Sequence, residues 1–470
     1  MASLEFIKNT RDRLNAVSPS MCAMKWLHET LYLHTGDNHS CYHPRPQHIP
    51  LHEIQKNPAA LHNTQWKKER RREMLTGVRP EECYYCWNIE NLGGDHISDR
   101  MIHSSSTYAV DKIEGLAAIP WDQDVNPRYL ELSFGNACNF KCGYCCPQAS
   151  TAWVDEIKKH GNYDLTYNQY GIEFINRELP AGDGKAYYPP NEENPYVEAF
   201  WKWWPSLRKD LHTLRLTGGE PLMNPATYRF LDILDKEPAP ELNLSMNSNM
   251  GVSFAKFDTA LVKIRKLVDD KKIKSFSLFT SIDSWGARAE YMRGGLDCVH
   301  WERNLRAALA MFPGTQISFM CTFNILCVTN FKDLLDKIVD WRKEFGHDRI
   351  GFDTPYLKEP PHWMINLLPE SFHHYMDDTL EFMKNSEWFT DVEVEKWSRV
   401  TDYMKTPLNS PAHPHLTDDL IRRGRRDFWV FFNEYDKRRD LNFDKTFPEY
   451  IEFKNFCKTI YEEYENEKIR

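Results

Sequence analysis

Short apolar segments alternate with longer amphipathic segments between residues 129 and 353. A short apolar run predicts a buried strand, and apolar residues that recur every three to four positions predict a helix. The predicted strands are 129–134, 212–217, 242–246, 275–282, 316–323 and 349–353. The predicted helices between them are 224–235, 255–267, 301–312 and 331–345. Because this alternation is typical of βαβ units, we expect an α/β fold with a parallel sheet, in which six units form an open, partial (βα)6 barrel.

Three stretches lie outside this alternation. Residues 1–125 are rich in Cys and His and combine loops with at least one helix. An insertion at about 155–205 is rich in Pro and Gly and is too long for an ordinary βα connection. Residues 361–470 predict aromatic-rich helices that end in a charged tail. We therefore expect an N-terminal Cys-rich module over 1–125, a core over 126–360 and a helical C-terminal extension over 361–470.

Composition and charge restrict the class of protein. The 470 residues are 41% hydrophobic and 27% charged, which excludes a disordered or collagen-like chain. No apolar run approaches the roughly 18 residues of a membrane span, and residues 1–20 lack the apolar centre of a signal peptide, so we expect a cytoplasmic protein without a membrane partner. The net charge of -9 argues against broad nucleic-acid binding. The basic segment 67–72 is interrupted by Glu69 and is expected to be a solvated helix face.

Cysteine usage points to metal chemistry. Twelve cysteines are far fewer than the roughly 8–10% of residues that marks a disulfide scaffold, and clustered thiols in a reducing compartment bind metal or perform chemistry. Eight of them form two groups, which are Cys22, Cys41, Cys83 and Cys86, and then Cys138, Cys142, Cys145 and Cys146. The scattered remainder, expected to be buried in the core, are Cys298, Cys321, Cys327 and Cys457.

The second group follows the first core strand with the spacing C-x3-C-x2-C. Thiolates from Cys138, Cys142 and Cys145 would ligate three irons of a four-iron cluster and leave the fourth without a protein ligand. An open coordination position distinguishes a reactive metal site from a closed structural one. The alternative is a structural zinc knuckle with a different fourth ligand. Cys146 is expected to turn away from Cys145 as a buried structural thiol, with a hydrogen donor or a spare ligand as alternatives.

This spacing, with Tyr144 as the aromatic residue before the third cysteine, resembles the radical S-adenosylmethionine (radical SAM) family. The resemblance implies that Cys138, Cys142 and Cys145 ligate a [4Fe–4S] cluster whose open iron binds the methionine part of SAM, with Tyr144 among the cofactor-binding residues. In the family, an electron from the cluster cleaves SAM to methionine and a 5′-deoxyadenosyl radical, which abstracts hydrogen from a substrate. An electron donor such as flavodoxin or ferredoxin is implied as a partner.

A second motif follows the next predicted strand. Gly218-Gly219-Glu220-Pro221 resembles the GGEP motif of the same family, which holds the amino group of SAM. Paired glycines let backbone approach a ligand closely, and a carboxylate accepts hydrogen bonds from an ammonium group. A plain Gly-Gly turn is the alternative.

Asparagine and glycine residues follow later strands. Asn247 and Asn249 resemble the family's N-G segment, although Met250 separates Asn249 from Gly251. Asn324 ends the next strand but one, at a position where the family often places a cofactor-contacting Asn. Turn or capping roles are the alternatives for each. All of these motifs lie at carboxyl ends of predicted strands, where α/β sheets and barrels bind ligands.

A further motif resembles members related to peptide-modifying enzymes. Ser281-Ile-Asp283 is followed by Arg293-Gly-Gly, the S-x-D…R-G-G arrangement. Ser281 and Asp283 share one strand face and can both point at a ribose or carboxylate. Arg293 can clamp the SAM carboxylate through two hydrogen bonds.

The first cysteine group fits a tetrathiolate site for zinc or an iron–sulfur cluster. Cys22, Cys41, Cys83 and Cys86, with the sequence that continues to Arg100, resemble the SPASM/twitch auxiliary module, here placed before the core. The resemblance implies that these four residues bind one auxiliary [4Fe–4S] cluster. Nearby histidines allow a mixed ligand set and are His28, His34, His39, His43 and His48.

The sequence therefore predicts a radical SAM enzyme that modifies a peptide or protein. One alternative is radical oxidation or rearrangement of a small molecule such as a sugar or nucleoside. Another is a non-catalytic, metal-stabilised binding protein, in which the three-cysteine site would hold inert zinc. The residues that select the substrate are expected in the insertion and the C-terminal helices, where no motif is recognised.

Overall fold

A computed structural model describes residues 3–91, 97–410 and 413–469, with side chains up to residue 467. Residues 92–96 of the predicted auxiliary module lie outside this part. The strands are β1 (His28–Tyr32), β2 (Asp37–His39), β3 (Gln47–His48), β4 (Tyr129–Ser133), β5 (Lys141–Cys142), β6 (Thr213–Thr217), β7 (Ala239–Ser248), β8 (Ile273–Ser281), β9 (Arg293–Gly294), β10 (Ile317–Met320) and β11 (Ile350–Asp353). The helices are α1 (Leu4–Val17), α2 (Met24–Leu27), α3 (Leu51–Lys56), α4 (Gln65–Leu75), α5 (Tyr84–Asn91), α6 (Asp99–Ser104), α7 (Ile113–Ala117), α8 (Thr151–His160), α9 (Pro195–Leu207), α10 (Pro225–Lys236), α11 (Phe254–Asp269), α12 (Ala287–Met292), α13 (Cys298–Met311), α14 (Phe331–Phe345), α15 (His373–Lys384), α16 (Asp391–Met404), α17 (Asp418–Arg439), α18 (Phe443–Thr446) and α19 (Ile451–Ile469).

The predicted alternation of strands and helices is present. The six predicted strands correspond to β4, β6, β7, β8, β10 and β11, and the four predicted helices to α10, α11, α13 and α14. Their pairing is parallel wherever it is described, as expected for βαβ units. The fold class is therefore α/β with a parallel sheet, whereas closure into a partial barrel stays a prediction. None of the described helices combines the length and the apolar character that crossing a lipid bilayer requires.

The first compact unit comprises Met1–Ala137, Glu173–Met246 and Lys263–Phe276. Its strands are ordered β3-β2-β1-β4-β6-β7. β1 pairs in parallel with β4, with His28 opposite Tyr129, and antiparallel with β2. The parallel sheet thus begins inside the predicted N-terminal module, where the sequence indicated loops and helix. The domain boundary at residue 125 stays a prediction.

The basic helix α4 differs from its prediction as a solvated face. Lys67 and Arg71 are buried, at 1% and 0% exposure. Lys67 Nζ contacts the Glu29 carboxylate of β1, and a ring nitrogen of His62 lies 2.5 Å from that carboxylate. A buried charge is tolerated only when it is paired, and one face of α4 therefore supplies Lys67 to Glu29 of β1 and Arg71 to the Lys25 carbonyl and the Asn63 side chain.

The second compact unit comprises Cys138–Ile172, Asn247–Val262 and Ser277–Arg470. The end of β8 pairs in parallel with β10, and β10 with β11. A separate two-stranded ribbon is formed by β5 and β9, which join the cysteine loop to the Arg-Gly-Gly motif. The C-terminal helices α17 and α19 belong to this unit and pack on each other.

Candidate metal centres

The cysteine loop of the second unit is held in place by the Arg-Gly-Gly segment. Cys142 of β5 pairs antiparallel with Arg293 of β9. The Gly143 N–H donates to the Met292 carbonyl at 2.8 Å. The structure therefore brings together two motifs that lie about 150 residues apart in the sequence and gives the loop a fixed backbone.

Hydrogen-bond donors face the sulfur of Cys138. The Phe140 N–H donates to Cys138 Sγ at 3.4 Å, and Asn249 Nδ2 donates to the same sulfur at 3.6 Å. The Asn249 amide is oriented by Asn139 Oδ1 at 3.0 Å and by the Gly251 N–H at 2.7 Å. Donors to sulfur favour the thiolate, which is the form that ligates metal.

The departure from the family pattern at Met250 has a backbone consequence. Met250 is fully buried and has φ +53°, the left-handed region that suits Asn or Gly better than a longer side chain. Its carbonyl accepts from Asn304 Nδ2 at 2.8 Å. This conformation turns the chain directly after Asn249, so the segment keeps a tight turn although Gly is displaced by one position.

Cys145 and Cys146 face each other, which corrects the expectation that adjacency turns Cys146 away. A hydrogen bond with Cys146 raises the pKa of the Cys145 thiol, and burial and the thiols of Cys142 and Cys138 raise it further. The same bond lowers the pKa of Cys146. Four sulfurs are therefore close enough to influence one another, and the roles of Cys138, Cys142 and Cys145 as cluster ligands stay a prediction.

Tyr144, Asp283 and Arg293 form a buried polar cluster beneath the loop. The Tyr144 hydroxyl donates to Asp283 Oδ2, and Arg293 Nη1 donates to the same carboxylate oxygen at 3.1 Å. Asp283 is 0% and Arg293 5% exposed, and Asp283 Oδ1 also accepts the Thr322 N–H at 2.8 Å. Burial raises the pKa of the Cys142 thiol, whereas the positive charge of Arg293 opposes that shift. These three predicted cofactor residues thus contact one another.

The remaining predicted positions of this unit have mixed surroundings. Asn324 is fully buried, and its side chain bonds the Thr322 carbonyl and the Leu326 N–H, each at 3.0 Å, so it caps a short 3-10 turn. Ser281 is partly exposed at the end of β8. Asn247 lies near the end of β7. For all three, contact with a cofactor stays a prediction.

In the first unit, the Gly-Gly-Glu motif is packed against backbone. Gly218 has φ +114°, and a Cβ there would lie 2.6 Å from the Gly135 carbonyl oxygen. A Cβ on Gly219 would lie 2.4 Å from the Ala137 carbonyl oxygen, so both positions require Gly. The Glu220 N–H donates to Ala137 at 2.7 Å. The motif is therefore built onto the residues that immediately precede Cys138 in the sequence.

We expect Gly219→Ala to destabilise the protein by roughly 1–3 kcal/mol, because an added methyl group meets backbone atoms that cannot rotate away. The measurement is the urea midpoint of unfolding under anaerobic conditions. Gly115→Ala is the matched control, since a Cβ there has no heavy atom within 4 Å and Ala favours the helix α7. Equal midpoints for the two variants would contradict the expectation.

The C-terminal helices contribute contacts to the cysteine loop that no sequence signal indicated. A Cβ on Gly143 would lie 2.3 Å from the Trp363 ring. The Tyr170 hydroxyl lies 2.9 Å from the Gly143 carbonyl and 3.0 Å from His362 Nε2. Arg439 of α17 donates to the Lys141 carbonyl at 2.7 Å. The loop is thus contacted by Trp363 and Arg439 from the predicted extension and by Tyr170 from the predicted insertion.

The first cysteine group comes together within the first unit. Cys22, Cys41, Cys83 and Cys86 line one cavity, and mutual electrostatic effects are among the causes that shift the pKa values of their thiols. Cys41 has φ +80°, an uncommon conformation for a residue with a side chain. Strain of this kind is retained at functional sites when the surroundings enforce it. The four residues thus line one cavity, and their role as a common ligand set stays a prediction.

Burial favours the neutral form of these four thiols, and nearby hydrogen-bond donors and one lysine partly oppose that effect. Burial raises the pKa of Cys22 and of Cys41, the latter to about 11. Backbone hydrogen bonds lower the pKa values of both thiols. The Met24 N–H donates to Cys22, and the His43 N–H donates to Cys41. The buried Lys25, paired with Glu82 at 2.7 Å, lowers the pKa of both thiols. A bound metal would complete the charge balance in this cavity.

The spacing of ligand atoms distinguishes two kinds of site. Among the residues that the structure describes, which include all twelve cysteines, one set of three or more candidate ligands has all its atoms within 4.8 Å of one another, and it consists of His43, Asp99 and His103. Sulfurs around a single zinc stand about 3.8 Å apart, given a Zn–S bond of about 2.3 Å. Among the described cysteines no three sulfurs lie within that 4.8 Å limit, and the kind of metal that either group binds stays a prediction.

Comparison with known proteins yields distant similarities. No family model matches the chain. It is similar to a curated GTP 3′,8-cyclase of Sulfurimonas denitrificans, with 26% identity over 121 residues, so the chain spans 27% of that relative and the match covers 26% of the chain.

Two solved structures have low scores. Native anSMEcpe with bound AdoMet has 14% identity, a TM-score of 0.34 and coverage of 54% of this chain and 59% of that one. Streptococcus suis SuiB bound to the precursor peptide SuiA has 10% identity, a TM-score of 0.33 and coverage of 63% and 54%. Because function resides in particular sites, the activity of this chain is inferred from its own residues.

Proposed function

We propose that the chain is a radical SAM enzyme in which Cys138, Cys142 and Cys145 hold a [4Fe–4S] cluster. The main support for this proposal is the structure of the cysteine loop. N–H donors face the Cys138 sulfur, and Arg293 lies close enough to Cys142 to affect its pKa. Among the cysteines of the loop, all of which the structure describes, no three sulfurs lie within 4.8 Å of one another. Such a donor set fits iron–sulfur ligation. With SAM bound, the cluster would pass one electron from an external donor to SAM, which would cleave to methionine and a 5′-deoxyadenosyl radical able to abstract hydrogen from the substrate.

The side chains of this site have separate roles in the proposal. Asn249 would donate a hydrogen bond to the sulfur of the Cys138 ligand. Tyr144 and Asp283 hold Arg293, whose Nε is buried and makes no hydrogen bond in the described structure. That Nε is a candidate donor to the SAM carboxylate. Gly218, Gly219 and Glu220 would receive the SAM amino group, and Asn247, Ser281 and Asn324 would complete the cofactor contacts.

The four early cysteines are proposed to hold an auxiliary [4Fe–4S] cluster. Their shared cavity, the backbone N–H groups that serve Cys22 and Cys41, and the absence of zinc-like sulfur spacing among the described residues support iron–sulfur over zinc. Lys25 partly neutralises the ligands. The site then relays electrons or stabilises this part of the fold.

The proposed substrate is a peptide or protein side chain. The resemblance of Ser281, Asp283 and Arg293 to peptide-modifying members of the family supports this choice. A nucleoside-like small molecule is the second candidate, favoured by the partial similarity to a GTP 3′,8-cyclase. Transfer of deuterium from a labelled substrate into 5′-deoxyadenosine distinguishes the two. Transfer from labelled peptides supports the first, whereas transfer from labelled nucleosides alone supports the second.

The central experiment tests SAM cleavage directly. The protein is reconstituted anaerobically with iron and sulfide, then given dithionite and SAM, or reduced flavodoxin or ferredoxin in place of dithionite. We expect 5′-deoxyadenosine to form. If a protein with its full complement of iron releases none, both enzymatic proposals are wrong. An iron-free, zinc-loaded protein would favour the non-catalytic binding protein.

Replacing Cys83 by Ala is expected to remove about half of the bound iron while leaving SAM cleavage intact, because each cluster needs its own thiolates. Iron and sulfide analysis, together with chromatography of 5′-deoxyadenosine, measures both quantities. Cys298→Ala serves as a control, since Cys298 is a buried thiol at the start of α13 and outside both cysteine groups. Loss of SAM cleavage in the Cys83 variant would contradict two separate clusters.

A further inference from the structure

Three side chains of types that can ligate metal, His43, Asp99 and His103, converge in the cavity that the four early cysteines also line. Asp99 and His103 stand four residues apart on α6, which places them on one helix face. His43 comes from the loop after β2. Its Nε2 contacts Asp99 Oδ2, and His103 Nε2 lies 3.9 Å from the same oxygen. The three ligand atoms lie within 4.8 Å of one another.

The orientation of the imidazoles exceeds what an ordinary ion pair needs. In the ordinary pair of His52 and Asp183, one histidine lies 3.9 Å from the carboxylate. Here two rings direct Nε2 at one oxygen. The His43 ring is held by stacking on Tyr85, with ring centroids 3.7 Å apart and planes 7° apart. The two imidazoles and the carboxylate are thus oriented so that they could ligate one metal ion together.

Burial and access fit a bound ion. The side chains of His43, Asp99 and His103 are 23%, 27% and 27% exposed, so an ion can enter and keep a coordination position for water. The donors are two nitrogens and one carboxylate oxygen, and none is a thiolate. Two imidazoles with one carboxylate is a known ligand set for zinc.

We propose that His43, Asp99 and His103 bind one divalent transition-metal ion, with zinc as the best fit, separate from the cluster assigned to the four cysteines. Ligand atoms of one zinc stand about 3.4 Å apart, given Zn–N and Zn–O bonds of about 2.0–2.2 Å, so an ion would take the place of the direct contact between His43 and Asp99. The ion would tie α6 to the loop that also carries Cys41. His43 is thereby removed from the mixed ligand set that the sequence left open for the cysteines.

Metal titration of the iron- and sulfide-loaded protein tests this proposal. After addition of zinc and removal of the excess, elemental analysis is expected to give about one zinc per chain. Cobalt in place of zinc is expected to produce visible d–d absorption without the thiolate-to-cobalt charge-transfer band. Asp99→Asn and His103→Ala should each weaken zinc binding at least tenfold and leave iron and sulfide unchanged. His52→Ala, which removes one histidine of an ordinary pair, should retain the zinc.

Several outcomes would overturn the site. They are a wild-type protein without zinc above background, zinc that persists after His103→Ala, a cobalt–thiolate band, or loss of iron in the His103 variant. If His103→Ala does not fold, His103→Gln tests the same ligand with less change in volume. A Cys138→Ala variant separates this proposal from the enzymatic one, because it should bind zinc at the same stoichiometry although it cannot cleave SAM.

Discussion

Replacing Cys138, Cys142 or Cys145 by Ala is expected to reduce 5′-deoxyadenosine formation to the background of protein-free controls. Each thiolate would ligate one iron of the cluster. Two remaining thiolates would not bind the cluster stably. Anaerobic turnover with dithionite and SAM measures the effect. Iron analysis should show that about half of the metal is lost while the auxiliary site keeps its share.

Cys457→Ala is the matched control for this series. Cys457 is fully buried in α19 and belongs to neither cysteine group, so its removal tests the general cost of losing an interior thiol. Full activity in the control with none in the loop variants would support the assignment. Undiminished SAM cleavage in any one of the three loop variants would exclude that cysteine as an essential ligand.

The second large effect is expected for Asp283→Asn, which should lower the free energy of unfolding by about 3–5 kcal/mol. Asp283 and Arg293 are buried, at 0% and 5% exposure, and the change leaves the guanidinium without its carboxylate. Asparagine keeps the size and an oxygen acceptor for the Thr322 N–H, so the effect isolates the lost charge. Urea unfolding followed by circular dichroism under anaerobic conditions measures it.

Two further variants define the cause. Asp348→Asn changes a fully exposed aspartate and is expected to stay within about 0.5 kcal/mol of the wild type. In the double variant Asp283→Asn with Arg293→Met, the guanidinium is removed as well and the Thr322 N–H keeps its acceptor, so most of the lost stability should return. If the double variant is less stable than Asp283→Asn, an uncompensated charge is not the cause of the loss.

The strands and helices of the core were predictable because their signal is local. Strand β4 and helix α14, for example, agree closely with the periodicity of their own residues. Strand β1 was missed for a physical reason. It buries His28, Glu29 and Thr30, polar residues that resemble a loop when the partners that satisfy Glu29 are not known.

The sequence identified the candidate site residues, but it did not predict which of them contact one another. The cysteines, Tyr144, Asp283 and Arg293 stand out by type and spacing. That the last three satisfy one another depends on β5 pairing with β9, a contact across about 150 residues. The contacts of Trp363 and Arg439 with the cysteine loop could not be predicted from the sequence. An aromatic or arginine residue far along the chain can pack on many surfaces, and no local pattern identifies which one.

The amino-acid sequence by itself determined the α/β class, the positions of most core strands and the two groups of thiols, since each depends on residues close together along the chain. Only the tertiary structure decided the orientation of Cys146, the burial of Lys67 and the convergence of His43 with Asp99 and His103. These features depend on which distant segments meet, and burial in that setting changes the energy of a charge or a thiol far more than the local sequence does.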